Sequence, residues 1–124
     1  MSKNSSQKHI FKELRKIFSG LSDEEFELFK AAMNHKDETF LFSGRIQFTL
    51  GSLITQVYEE ANKENYKLLS ERLVRLAEYV ENGDYYAYSL LSGFSISNAG
   101  FLEDKEKLVT VYIPPIVLDH YRSE

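Results

Sequence analysis

The sequence predicts an all-α fold: one domain of about five or six helices packed as antiparallel pairs, an arrangement open to superhelical stacking. Three observations carry that expectation. Ser22-Asp23-Glu24-Glu25 is a complete capping signature. Apolar residues recur at helical spacing along several further stretches. Residues 85–102, YYAYSLLSGFSISNAGFL, form the longest run without Asp, Glu, Lys or Arg and read as a helix covered on both sides. At helical spacing Ala87, Leu90, Leu91, Phe94 and Phe101 fall on one side of that run, while Tyr85, Tyr88, Ser89, Ser92 and Ile96 fall on the other. Its length approaches a membrane span, but Ser89, Ser92, Ser95, Ser97 and Asn98 would carry polar atoms into lipid. A helix at the centre of a soluble domain is the better reading.

The remaining elements follow in order. Residues 2–6 are expected to fray, after which Ile10, Leu14, Ile17 and Phe18 mark a first helix that Gly20 stops. Ser22 caps a second helix, whose inward stripe is Phe26, Phe29 and Met33 and whose end is the polar run 34–38. Residues 40–50 admit two readings, a pair of short strands around Ser43-Gly44 or a loop that feeds a helix. The continuous stripe Ile46, Leu50, Leu53, Ile54, Val57 and Ala61 favours the helix. Gly51 inside it costs near 1 kcal/mol of propensity, which makes sense if another backbone comes close there.

From 65 to 82, Tyr66, Leu69, Leu73, Leu76, Ala77 and Val80 line one helix face and Glu64, Glu71 and Glu78 the opposite one. A mixed row, Leu68, Arg72, Arg75 and Tyr79, lies between, suited to a neighbouring helix or a partner. Asn82-Gly83-Asp84 offers a C-terminal glycine and then an N-cap. The helix before it should therefore pack antiparallel on the uncharged one, with Leu73 and Leu76 facing Leu90, Leu91 or Phe94. Residues 108–113 are β-branched and either extended or helical; Pro114 forces Ile113 out of the helical region, and Pro115 can open a last short helix holding Ile116, Val117, Leu118 and Tyr121.

With 124 residues, 43% hydrophobic and 14% aromatic, the chain closes one globular core rather than two. The lack of Cys excludes disulfides and thiolate metal sites, and residues 1–16 contain no apolar leader, so a cytoplasmic location is expected. A net charge of -4 argues against nucleic acid as the main partner. The charges are segregated. Lys3, Lys8, Lys12, Arg15 and Lys16 make the first helix basic, and Asp23, Glu24, Glu25, Glu27, Asp37 and Glu38 make the next segment acidic. Such faces are either simply solvated or fitted to a basic protein.

No catalytic, cofactor or metal residues are expected. His9, His35 and His120 stand far apart, and the glycines are scattered singly with no phosphate-binding pattern. Gly93-Phe94-Ser95-Ile96-Ser97 lacks the last glycine of a nucleophile elbow, and adjacent carboxylates such as Glu59-Glu60 diverge on a helix.

Leu76-Ala77-Glu78-Tyr79-Val80-Glu81-Asn82-Gly83-Asp84, followed by the uncharged helix to Asn98 and preceded by the loop Phe40-Leu41-Phe42-Ser43-Gly44, resembles small all-helical bacterial immunity-like proteins of polymorphic toxin systems. The resemblance spans roughly residues 40–101. It departs from that pattern in the Tyr-rich start of the central helix and in the tail 108–115. It implies a non-enzymatic protein that neutralises a cognate toxin by covering its active site. On that reading Glu64, Leu68, Glu71, Arg75, Glu78 and Tyr79 are the partner-binding candidates, the glutamates facing a basic toxin domain and Tyr79 anchoring it. Glu71 with Arg75 is equally a satisfied i,i+4 pair. A helical regulatory or phage-derived adaptor is the alternative, a nucleic-acid-binding protein a lesser one, and an enzyme would need a pocket with convergent polar groups.

Overall fold

The computed structural model describes residues 3–78, 80–81, 87–97 and 103–122. The fold is mixed α/β rather than all-α. Helices α1 (Lys3–Ile17), α2 (Asp23–Met33) and the single turn α3 (Phe40–Ser43) lead into strand β1 (Arg45–Thr49), α4 (Leu50–Val57) and α5 (Lys63–Leu76). Two short strands, β2 (Val80–Glu81) and β3 (Ala87–Tyr88), pair antiparallel with each other. Then come β4 (Gly93–Ile96), a 3-10 turn (Asp104–Glu106), β5 (Leu108–Tyr112) and α6 (Pro115–Arg122). The main sheet is antiparallel in the order β1-β5-β4.

The largest correction falls on residues 85–102. Where these are described, they are the strands β3 and β4 and the segment between them, not a helix. Phe94-Ser95-Ile96-Ser97 alternates apolar with polar, so in a strand Phe94 and Ile96 share the face carrying Val111, Val109, Ile46 and Phe48. A helix would set Phe94 and Ile96 about 200° apart. The absence of charge records a sheet with little solvent on one side, not a surrounded helix.

The same period decides 45–49. Ile46 and Phe48 are buried while Arg45, Gln47 and Thr49 are exposed, so the expected continuous helix from Ile46 is replaced by β1 followed by α4. The hairpin alternative fails as well, because β1 pairs with β5 and residues 40–43 are helical. Gly44 makes the junction at φ 66, a left-handed conformation that a Cβ would disfavour. Residues 108–112 form the central strand β5, with Ile113 just beyond its end, and Pro115 opens α6 as expected.

Elsewhere the helical periodicity holds. α1 buries Ile10 and Leu14, with Phe18 just beyond its end, though it begins at Lys3 among residues expected to fray. The capping box is formed: the Glu25 amide donates to Ser22 Oγ (3.1 Å) and the Ser22 amide to Glu25 Oε1 (2.8 Å). α5 closes at Leu76 instead of running to 82, its last amides, Ala77 and Glu78, bonding three residues back to Val74 and Arg75. The turn expected at Asn82-Gly83-Asp84 lies outside the described residues.

The core is one cluster in which α2 packs on α4 and α5 while α1 and α3 meet α6. Leu73, Leu76, Leu90 and Leu91 are all fully buried in it, and the Leu91 amide donates to the Leu76 carbonyl (3.1 Å). The expected neighbourhood of α5 is therefore met by a strand-containing segment in place of a helix. Phe11, Phe26 and Phe29 interlock where α1 crosses α2, with ring centroids 5.7 to 6.3 Å apart. Gly51 stands where a Cβ would lie 2.8 Å from the Lys105 carbonyl oxygen, the close backbone approach that its place in α4 suggested.

Candidate protein-docking face

Asn62 starts α5, its side chain accepting from the Asn65 amide (2.8 Å). With Leu69, Leu73 and Leu76 turned inward, 100° per residue places Glu64, Leu68, Glu71 and Arg75 within one arc on the far side of α5, and Glu78 follows two residues beyond its end. All five are exposed, so the structure brings together five of the six partner-binding candidates. Tyr79 lies outside the described residues.

Two halves of this stripe differ electrostatically. Toward its C-terminal end, Arg75 is a hub: Nη1 donates to Glu78 Oε2 at 2.6 Å, and Nε lies 3.2 Å from Glu25 Oε2. The Glu78 hydrogen bond, with the Glu25 charge beside it, pushes the guanidinium pKa up. The i,i+4 partner that the sequence offered Arg75, Glu71, is not the one it takes. Glu64 and Glu71 make no ion pair among the described residues, and between them Leu68 is 37% exposed. The N-terminal half thus presents two free carboxylates around an apolar side chain.

Arg72, on the flank of the stripe, turns toward α2. It donates to the Tyr58 hydroxyl (2.7 Å), sits 5.4 Å above that ring, and reaches Glu24 at 3.6 Å. Burial pushes the Tyr58 hydroxyl pKa up, opposed by the nearby Arg72 charge. The mixed row Leu68, Arg72, Arg75 and Tyr79 pointed to a neighbouring helix or a partner; for Arg72 and Arg75 the neighbour is the first turn of α2. The sequence reading missed Glu24 and Glu25 as their counter-charges because it treated that acidic turn as one uniform face. The Glu25 carboxylate is only 13% exposed and serves both the capping box and Arg75.

The basic face of α1 is partly neutralised. Arg15 pairs with Asp23 (3.0 Å) and Lys16 with Glu13 (3.5 Å), leaving Lys8 and Lys12 beside a groove over Phe11 and Phe26. A second open groove, of about 780 Å³, runs between α4, Tyr66 and the 3-10 turn. Its rim charges are largely internal pairs, Glu103 with Lys105 and Asp104 with Lys107.

The histidines are separate: His35 stacks on Phe48 (4.9 Å) and meets Gln56 Oε1 (3.0 Å), and His120 Nδ1 lies 2.7 Å from the Ile116 carbonyl. Among the described residues no group of three His, Cys, Asp or Glu side chains is placed to hold a metal ion, and no helix is long and apolar enough to cross a membrane. No family model, characterised protein or solved structure matches this chain.

Proposed function

We propose that this protein is a non-enzymatic binding module that receives a basic partner protein on the N-terminal half of the α5 stripe. One observation carries the reading: among the described residues Glu64 and Glu71 stand free of ion pairs on either side of exposed Leu68, while Glu24, Glu25 and Glu78 are engaged by Arg72 and Arg75. Unpaired carboxylates attract a basic surface at long range and set its orientation, and a central apolar side chain gives the contact a dry centre. The immunity-like resemblance leaned on a helix that is strand in this chain, so the reading rests on the stripe itself. A basic bacterial toxin domain is the first partner class to try.

The experiment is capture of such a domain, encoded beside this chain, by the wild type and by a Glu64→Lys, Glu71→Lys double variant. Both positions are exposed and unpaired, so circular dichroism and melting should be unchanged. Association of the variant should slow by at least tenfold at low salt and lose its salt dependence. Equal capture by both proteins would remove α5 from the interface; turnover of a small molecule by the purified wild type would remove the non-enzymatic reading.

A further inference from the structure

The two edges of the main sheet are finished differently. On β1 the outward-facing backbone belongs to Arg45, Gln47 and Thr49, since the inward bonds run through even-numbered positions, as the Leu50 amide to the Lys107 carbonyl and the Ile113 amide to the Gly44 carbonyl require. That edge is blunted at both ends. Ser43 Oγ accepts from the Arg45 amide (3.2 Å) and donates to the Arg45 carbonyl (3.4 Å), while Ser52 Oγ donates to the Thr49 carbonyl (2.8 Å).

The β4 edge has no such caps among the described residues. The Ser97 amide donates to the Leu108 carbonyl (2.9 Å), and the register sets Ser95 against Thr110 and Gly93 against Tyr112. Parity then turns the amides and carbonyls of Phe94 and Ile96 outward. Phe94 and Ile96 are also only half-buried, at the rim of the apolar layer they share with Val111 and Val109.

We propose that β4 is a dimerisation edge, paired antiparallel with β4 of a second copy of this chain about a two-fold axis at Ser95. The register is self-complementary. Phe94 opposite Ile96 of the second copy, and Ile96 opposite Phe94, are both hydrogen-bonded pairs, giving four backbone bonds and a continuous six-stranded sheet. Ser95 then faces itself as a non-hydrogen-bonded pair, the close spacing of about 4.5 Å between Cα atoms, where a small side chain fits. On the helix-packed face, Phe94 and Ile96 of each copy cover the half-buried rim of the other.

Charge selects a second copy over a foreign strand. Two chains of net charge -4 repel, yet residues 87–97 contain no Asp, Glu, Lys or Arg, so this edge brings no like charges into opposition. It also carries no inward Lys of the kind that blunts edges, and no charge by which to choose a partner of different sequence.

Sedimentation equilibrium of the full chain tests the pairing. The wild type should reach twice the monomer mass as concentration rises. Ser95→Lys and Ser95→Glu each set a charge against its own copy and should sediment as monomers, while an equimolar mixture of the two should recover the doubled mass. Phe94→Pro removes an outward amide together with its half-buried ring and, with its fold checked by circular dichroism, should also be monomeric. Without any variant, exchange of the Phe94 and Ile96 amides should slow as wild-type concentration increases. A wild type that stays monomeric with concentration-independent exchange, a Ser95→Lys dimer, or a monomeric mixture would each overturn the proposal.

Discussion

Replacing Tyr121 with Phe should stabilise the fold. Tyr121 is 8% exposed in α6, its ring edge-on to Phe40 at 5.2 Å, and its hydroxyl is buried with no hydrogen-bond partner among the described residues. A hydroxyl taken out of water without a replacement bond costs about 1–3 kcal/mol in proteins. Phe keeps the ring contacts, including that with Phe40, and removes this cost, so the expected gain is about 1 kcal/mol, or roughly 4 °C in melting temperature for a domain of this size.

The pH dependence gives an independent reading. Burial pushes the folded-state pKa of the Tyr121 hydroxyl above its unfolded value of about 10. The folded state therefore holds that proton more tightly, and the associated stability is complete below about pH 10 and is lost as pH rises beyond it. In Tyr121→Phe that component of the alkaline decline is gone. Tyr58 and Tyr66, also raised mainly by burial, are present in both proteins and cancel in the comparison. Urea unfolding of the two proteins at neutral pH and above pH 10 should give a stability difference that favours Phe and widens in alkali. A loss of more than about 1 kcal/mol at neutral pH would refute the argument, because it would mean that the hydroxyl is bonded in the folded protein.

Leu73→Ala removes a fully buried side chain in the last turn of α5 and should cost about 2–5 kcal/mol in chemical denaturation, with an unchanged midpoint as the contrary result. Gly51→Ala sets two effects against each other. Helix propensity favours Ala by near 1 kcal/mol, but the new Cβ would lie 2.8 Å from the Lys105 carbonyl oxygen and 2.9 Å from its Cβ. A backbone clash of that kind costs about 1–3 kcal/mol, so the net effect should be a lower denaturation midpoint; a higher one would show that the 3-10 turn gives way freely.

Helices α1, α2 and α5 were legible because their signals are local, whereas the single turn α3 was read as a loop or a strand. Ser22 and Glu25 make a cap that needs nothing else in the chain, and Leu69, Leu73 and Leu76 show their period within α5 itself. The strands were not, because each gains its reason from a distant segment. Ile46 and Leu50 fit a helical stripe as well as Ile46 and Phe48 fit a strand, and only β5, about sixty residues on, decides between them. For β4 a usable signal was present in the alternation Phe94-Ser95-Ile96-Ser97, overridden by the length of the uncharged run. Gly51 was legible for the opposite reason: a costly residue in a strong helix pattern implies a neighbour without naming it.

The candidate site follows the same division. Helical periodicity places Glu64, Leu68, Glu71, Arg75 and Glu78 on one stripe, but which of these charges are free depends on the position of α2. Glu24 and Glu25, in its first turn, engage Arg72 and Arg75, and Arg75 takes Glu78 in place of Glu71. An isolated helix would have let Arg75 neutralise Glu71. The tertiary contact therefore sets which charges stay free: with Arg72 and Arg75 engaged by α2 and by Glu78, Glu64 and Glu71 keep no ion-pair partner among the described residues.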